Sequence, residues 1–440
     1  MARELSVGDI QEADVVDLAH DGRGIARLNG KTVFIDGALP GERVRLRVIK
    51  RRRQVDEAGL VEVLIASPDR VDPACAHFGI CGGCALQHLS AAAQIAAKER
   101  QLLDNLQRIG KVRPRCVLAP LRGPEWAYRR RARLGVKYVH KKGRVLAGFR
   151  EREKPYLADL RRCEVLQEPL ATLPRDLAAL VETLGIREKI PQVEVAAGDA
   201  ETALVFRTLE APGALDTEKI AAFGAAYGMQ IFLQTGGLDS VRPLRSDYAP
   251  LTYTVDAGRV VIEFGPVDFI QINREVNASM VDAALELMRP TGEDRVLDLF
   301  CGLGNFTLPL ARRARCVVAV EGDAALIAKA RANATRNGAG NAIFCKQNLF
   351  EPAEFGPWAE ERYDLLLLDP PRAGACALLA RLPHWRPRRV VYISCHPGSL
   401  ARDAEILVYT HGFTLTSVGV MDMFPHTTHV ESIAVFEGSA

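Results

Sequence analysis

RVLDLFCGLGNF, residues 295–306, is the stretch whose reading decides the fold. Its first half is a run of branched and aromatic apolar side chains broken by one acid, the composition of a buried strand. Its second half holds Gly302 and Gly304, which permit a tight turn and let the backbone approach a ligand closely. Downstream, CVVAVEGD puts Glu321 at the end of the next strand, 17 positions after Gly304. An acid about 20 positions beyond a glycine turn is where a ribose diol is held in nucleotide-binding folds. Strands and helices then alternate through ALIAKARANATRNG, AIFCKQN, YDLLLLDPP, ACALLARL and VVYISC, after an amphipathic helix in NREVNASMVDAALELM. This βαβ series predicts a parallel sheet with helices on both faces and a ligand crevice at the strands' carboxyl ends. The glycine spacing is not GxGxxG, which disfavours a nicotinamide dinucleotide.

Two further segments reach that edge. YISCHPGSL (392–400) places Cys395 just beyond an apolar run that Pro397 and Gly398 bring to a stop. A lone cysteine there is more often a small core residue than a nucleophile. LLLLDPPR (365–372) places Asp369 at a second strand end, where the bland alternative is a turn acid before two prolines. The glycine turn with Glu321 and Asp369 is similar to the cofactor motif of S-adenosylmethionine methyltransferases. In those that methylate exocyclic amines an aromatic usually follows DPP; here Arg372 follows, which turns attention back to Cys395. Carbon C5 of uracil is a poor nucleophile. A thiolate added at C6 makes an enolate that loads C5 with electron density, which is covalent catalysis. It calls for a thiol of lowered pKa and a nearby base. MDMFPHTTHVESIAVFEG supplies Asp422, His426, His429 and Glu431 as candidates for that base. The target base would have to flip out of its helix or loop.

The 440 residues suggest roughly three domains at about 150 residues each. With 48% hydrophobic and 25% charged residues the composition is that of a soluble globular protein, and a net charge of +3 gives no global argument for nucleic acid. No apolar stretch approaches the ~20 residues of a membrane span. The first residues, MARELSVGDIQEADV, lack the apolar core of a secretory signal, so a cytoplasmic protein is expected. Residues 1–65 alternate short apolar runs with glycine turns (DGRGIAR, DGALPGERV) and read as a compact β-barrel. They include RVRLRVIKRRR, with seven basic residues between Arg43 and Arg53: either a charged edge strand or a stripe for a nucleic-acid backbone. A helix is expected from LSAAAQIAAKERQLLDNLQRIG, with Gly110 as its cap. Residues 126–265 read as mostly β, with Arg and Lys interleaved with Tyr and Trp, a mixture that suits RNA.

Of the ten cysteines, Cys75, Cys81 and Cys84 form C-x5-C-x2-C, and Cys163 follows in LRRCEV. Four cysteines can hold zinc or an iron–sulfur cluster. Three close ligands with one distant favour [4Fe–4S] over the paired knuckles of structural zinc, and CGGC could also be a redox pair. Cys116, Cys301, Cys316, Cys345 and Cys376 are given no role.

Taken together, DGRGIAR, GALPGERV, the four cysteines, DFIQIN, DLFCGLGNF, VAVEGD, KQNLF, LLLDPPRAGA, YISCHP and DMFPHTTHVES resemble the RlmD (RumA) family of 23S ribosomal RNA uracil-C5 methyltransferases over nearly the whole chain. The resemblance implies a multidomain α/β protein. Residues 1–65 would form a TRAM (OB-like) RNA-binding barrel, 66–266 a central β-rich iron–sulfur domain, and 267–440 a Rossmann-like methyltransferase domain. It implies S-adenosylmethionine bound by Gln271, Phe300, Asn305, Glu321, Asn348 and Asp369, Cys395 as nucleophile and Glu431 as the base that takes the C5 proton. It also implies a [4Fe–4S] cluster on Cys75, Cys81, Cys84 and Cys163, with 23S rRNA as partner, no membrane, no obligate protein partner and a monomer. Two positions depart from the family pattern: His396 stands where Asn is common, and Pro371 replaces a smaller residue.

Overall fold

The computed structural model describes residues 6–351 and 355–438. The chain divides into two compact units. The first takes the described residues up to Gln101, with Phe149–Ala158 and Phe424–Thr428; the second takes Leu102–Gly148, Asp159–Met423 and the described residues from His429.

The first unit contains a closed barrel of β1 (Ile10–Leu18), β2 (Gly24–Leu28), β3 (Lys31–Asp36), β4 (Arg43–Arg51) and β5 (Val55–Ile65), ordered β1-β2-β3-β5-β4 with β1 back on β4. Inward residues such as Val15, Val33, Ile35, Val44, Leu46 and Val48 are buried and alternate with exposed polar ones. The basic strand β4 is therefore not an edge, because closure abolishes edges. Much of its charge is matched by carboxylates: Arg43 meets Glu12 at 3.3 Å, Arg45 meets Glu62, and Arg52, just past the strand, meets Glu57 at 2.7 Å. Helix α1 spans Ala91–Arg108.

The second unit holds the remaining sheets. Strand β6 (Cys116–Val117) joins the largest of them. A six-stranded sheet runs β12-β11-β10-β9-β7-β8, from β7 (Arg131–Val139), β8 (Arg144–Gly148), β9 (Gln192–Ala197), β10 (Thr202–Arg207), β11 (Gln230–Gln234) and β12 (Arg242–Pro243). Helices α2 (Leu173–Glu182) and α3 (Ala214–Tyr227) accompany it, and β13 (Leu251–Val255) and β14 (Val260–Phe264) form a hairpin. Helix α4 (Arg274–Met288) begins at Asn273, whose side chain accepts from Val276 N.

Then comes the alternating series: β15 (Arg295–Leu299), α5 (Thr307–Ala311), β16 (Cys316–Glu321), α6 (Ala324–Arg336), β17 (Ala342–Lys346), β18 (Leu365–Leu368), the short α7 (Cys376–Leu379) and α8 (Leu382–Trp385), β19 (Arg389–Ser394), α9 (Pro397–Glu405), β20 (Thr414–Met421) and β21 (Glu431–Glu437). The sheet order is β17-β16-β15-β18-β19-β21-β20-β6. Strands β15 to β19 pair in parallel, so their carboxyl ends share one edge. Strand β21 inserts antiparallel to β19, with Ser394 opposite Ser432.

Two local expectations change. Pro397 and Gly398 do not merely stop a strand; Pro397 opens α9 at the first helical position, where its missing N–H costs nothing. Gly110 is not the left-handed residue after α1; Lys111 is, at φ 52°. A glycine is required at 110 because a Cβ would overlap the carbonyl oxygen of Ala401.

Candidate active site

The turn after β15 has a left-handed residue at every second position. Phe300, Gly302 and Gly304 have φ of 67°, 54° and 95°. For Phe300 this is a strained conformation, of the kind retained where a ligand is held. Its ring lies 5.8 Å from that of Phe350. A Cβ on Gly302 would meet nothing within 4 Å, so the turn borders open space. Glu321 ends β16 and closes this cradle: its carboxylate accepts from Gly302 N at 3.2 Å, Gly322 N at 2.7 Å and Asp323 N at 3.1 Å.

Asn305 is held by a reciprocal amide pair. Its Nδ2 donates to Asn277 Oδ1 at 3.0 Å, and its Oδ1 accepts from Asn277 Nδ2 at 3.2 Å and from Tyr253 Oη at 3.1 Å. The guanidinium of the fully buried Arg130 stacks 4.7 Å over the Tyr253 ring, and its Nε donates to Gln271 O at 2.9 Å. Asn277, Tyr253 and Arg130 are supporting residues that the motifs did not reveal. Asn348 is exposed after β17, and its Oδ1 accepts from Phe350 N at 3.1 Å.

Carboxylates crowd this edge. Asp298, fully buried on β15, accepts from Thr307 Oγ1 at 2.5 Å through Oδ2, while its buried Oδ1 has no hydrogen-bond partner among the described residues. Burial, with the charge of Glu321, pushes Asp298 up to about 7 despite the Thr307 hydrogen bond. Asp369, one residue past β18, is likewise pushed up to about 7 by desolvation and by Asp298. A cation among these groups would relieve their repulsion. The sulfonium and ammonium of S-adenosylmethionine have that sign, and the open turn and the Glu321 carboxylate suit its nucleoside.

Cys395 follows β19 directly, and Glu431 begins β21. The register Ser394↔Ser432 brings these two together, since the next residue outward on each strand is Cys395 and Glu431. Cys395 is half-buried and Glu431 buried. The thiol is pushed up to about 11 by desolvation, then by the charges of Glu431 and Asp369, with Arg372 pulling the other way. The expected low-pKa thiolate is therefore not the resting state: burial beside two carboxylates keeps the proton on sulfur. Arg372 donates from Nη2 toward His429 Nδ1 at 3.2 Å. Of the other base candidates, Asp422 donates its backbone N–H to Leu121 O at 2.8 Å, and His426 belongs to the first unit, where its Nδ1 lies 3.2 Å from the Gln94 amide. His396, the departure from Asn, does Asn's work. It caps α9, its Nδ1 accepting from Ser399 N at 3.1 Å.

Cys75, Cys81 and Cys84 lie in the first unit and Cys163 in the second. No disulfide joins any of the ten, and no group of three or more His, Cys, Asp or Glu able to hold a metal ion occurs among the described residues. Gly83 N donates to Cys81 Sγ at 3.4 Å, and Cys163 N donates to Ala171 O at 2.8 Å.

The tRNA (Uracil-5-)-methyltransferase family profile matches residues 92–354 and 358–438, and the TRAM domain profile matches 4–61. A 23S rRNA (uracil(1939)-C(5))-methyltransferase RlmD of Stenotrophomonas maltophilia (strain K279a) is 52% identical over 97% of this chain and 97% of its own. The chain belongs to the RlmD family. A second RlmD, of Methylococcus capsulatus, is 50% identical over 97% of this chain and 96% of its own. Among solved structures, the Pyrococcus abyssi tRNA (uracil-54, C5)-methyltransferase in complex with S-adenosyl-L-homocysteine superposes with a TM-score of 0.73. It is 24% identical and covers 97% of this chain and 99% of that one, a likeness of fold. The family's barrel is the closed barrel β1–β5, and its methyltransferase fold is the sheet that bears Cys395. No helix among the described residues is long and apolar enough to cross a membrane.

Proposed function

We propose that this member of the RlmD family transfers a methyl group from S-adenosylmethionine to C5 of a uridine in 23S ribosomal RNA, the uridine being the one numbered 1939 in the names of its relatives. The observation that carries this reading is the juxtaposition of Cys395 and Glu431 across the β19–β21 register, at the edge that also holds Glu321 and Asp369.

The cofactor supplies an electrophilic methyl on sulfur. Gln271, Phe300, Asn305, Glu321, Asn348 and Asp369 line its site, and the crowded carboxylates favour a cationic ligand. Cys395 Sγ bonds to C6 of the flipped uracil, its proton passing to Asp369, so that Glu431 stays ionised for the later step. The C5=C6 electrons move toward O4 as an enolate, whose return to C5 forms the carbon–methyl bond as the bond from that methyl to the sulfonium breaks and S-adenosylhomocysteine is left. Glu431 then takes the C5 proton, and the electrons of that C–H bond restore C5=C6 and expel the thiolate. Arg372 is the nearby cation available to the anionic stages.

In this reading residues 1–65 and the basic face of the central segment, 66–266, meet the RNA, and 267–440 carry the chemistry. A [4Fe–4S] cluster on Cys75, Cys81, Cys84 and Cys163 is supported by their spacing alone, and no catalytic step passes through it. Iron and sulfide analysis of protein purified without oxygen decides it; metal-free protein with full RNA affinity would remove the cluster from the account. The function is tested with 23S rRNA tritiated at uracil C5. Cofactor-dependent release of tritium to water is expected, and methyl transfer without release would contradict C5 chemistry.

A further inference from the structure

Behind the reacting edge, one buried carboxylate ties a loop to a strand that the chemistry uses. Asp403 on α9 is fully buried. Its Oδ2 accepts from Ala375 N at 2.6 Å and from Tyr392 Oη at 2.7 Å. Ala375 ends the loop that carries Asp369 and Arg372, and Tyr392 lies three residues before Cys395 on β19. Its Oδ1 accepts from Arg402 Nε at 2.9 Å and Nη2 at 2.6 Å, and the same Nη2 donates to Ala373 O at 2.8 Å. An ionised carboxylate at this depth is costly unless its lone pairs are filled, and here four donors fill them.

Gly374 supplies an independent sign that the grip is specific. It has φ 79°, and a Cβ there would lie 2.6 Å from both Asp403 Oδ2 and Arg402 Nη2. The loop can take this path only with glycine. Helix α9 is itself fixed at its other end by the His396 cap, next to the nucleophile. The short helix thus holds both the loop and strand β19.

We propose that Asp403 is a positioning residue for methyl transfer, holding the Asp369–Arg372 loop at a set distance from Cys395. The inference rests on the reading of Cys395 as nucleophile. Both charges named as acting on Sγ from this loop, Asp369 and Arg372, ride on the segment that Asp403 anchors. Loosening the loop admits water to the thiol, and desolvation is the largest cause of its elevation.

The test uses the full-length Asp403→Asn protein. Asn keeps an acceptor but turns an amide toward Arg402 or toward Ala375, so one side of the grip is lost. Iodoacetamide alkylation of Cys395, mapped by mass spectrometry across pH, should shift its midpoint from about 11 down toward the ordinary thiol value of about 8.5. Tritium release at saturating cofactor should fall about tenfold, the equivalent of one well-made buried hydrogen bond. A folded variant with the wild-type alkylation profile and wild-type turnover would overturn the proposal, since a merely structural carboxylate would lower melting temperature alone. Should Asp403→Asn not fold, Arg402→Gln removes the bond to Ala373 O and leaves Asp403 on Ala375 and Tyr392. A smaller shift of the same sign supports the proposal, and wild-type values overturn it. Wild-type protein that releases no tritium would overturn the methyltransferase reading, and this inference with it.

Discussion

Lowering the pH from 8 to 6 should weaken binding of S-adenosylmethionine more than binding of S-adenosylhomocysteine. The two ligands share an ammonium, a carboxylate and a nucleoside and differ by the sulfonium charge, so the ratio of their dissociation constants isolates that charge. Asp298 is pushed up to about 7 by burial and the charge of Glu321, and Asp369 up to about 7 by burial and the charge of Asp298. A neighbouring sulfonium favours their ionised forms, so ligand binding releases protons, and acid opposes it. For one group at 7 that falls below 6 on binding, linkage gives about a tenfold loss of relative affinity between pH 8 and 6. If both carboxyls ionise for the ligand, the loss approaches about a hundredfold. The sign is fixed: the preference for the cationic ligand rises with pH through the free-protein values and levels off above them. Isothermal titration calorimetry of both ligands, without RNA, measures it. A ratio that is flat from pH 6 to 8 would refute the claim that these carboxyls meet the sulfonium.

Other outcomes follow from single contacts. Tyr253→Phe removes the donor to Asn305 Oδ1 and should weaken S-adenosylhomocysteine by about 1 kcal/mol, roughly fivefold, in the same calorimeter; unchanged affinity would mean Asn277 alone holds Asn305. His396→Ala should cost about 1 kcal/mol in urea denaturation by uncapping α9, whereas His396→Asn should match the wild type; equal losses would deny the capping role. Gly110→Ala places a methyl against Ala401 O and should destabilise by about 1–3 kcal/mol in the same assay; a neutral result would show that the two backbones part at no cost.

The parts of the site legible in the sequence are those whose physics is local. The glycine turn needs positive φ at Gly302 and Gly304, Glu321 is set by strand length, and Cys395 falls where an apolar run ends. What was not legible depends on pairing at a distance. Residue chemistry alone left Glu431 among four base candidates and the family resemblance picked it out; its place beside Cys395 comes from the antiparallel insertion of β21 beside β19. The thiol's elevation arises from burial first and then from the carboxylates of Glu431 and Asp369, 36 and 26 positions away in sequence, so its protonation could not be read locally. The glycine turns announced the barrel, but the RVRLRVIKRRR run did not show that β5 and β1 would flank it rather than leave it an edge. Strand β6 joins β20 across some 300 residues, through only two residues of its own. Phe300 has no side-chain property that announces a left-handed backbone; its conformation follows from the turn it enters.

The most direct test of the central claim is covalent trapping. The protein is incubated with S-adenosylmethionine and a 23S rRNA fragment carrying 5-fluorouridine, then run on a denaturing gel. Fluorine at C5 cannot leave as a proton, so the bond from Cys395 to C6 should persist after methyl transfer. The account requires a slowly migrating protein–RNA band that depends on cofactor and vanishes in Cys395→Ala. Methyl transfer to ordinary RNA with no such band would make Cys395 a core residue and remove the covalent mechanism.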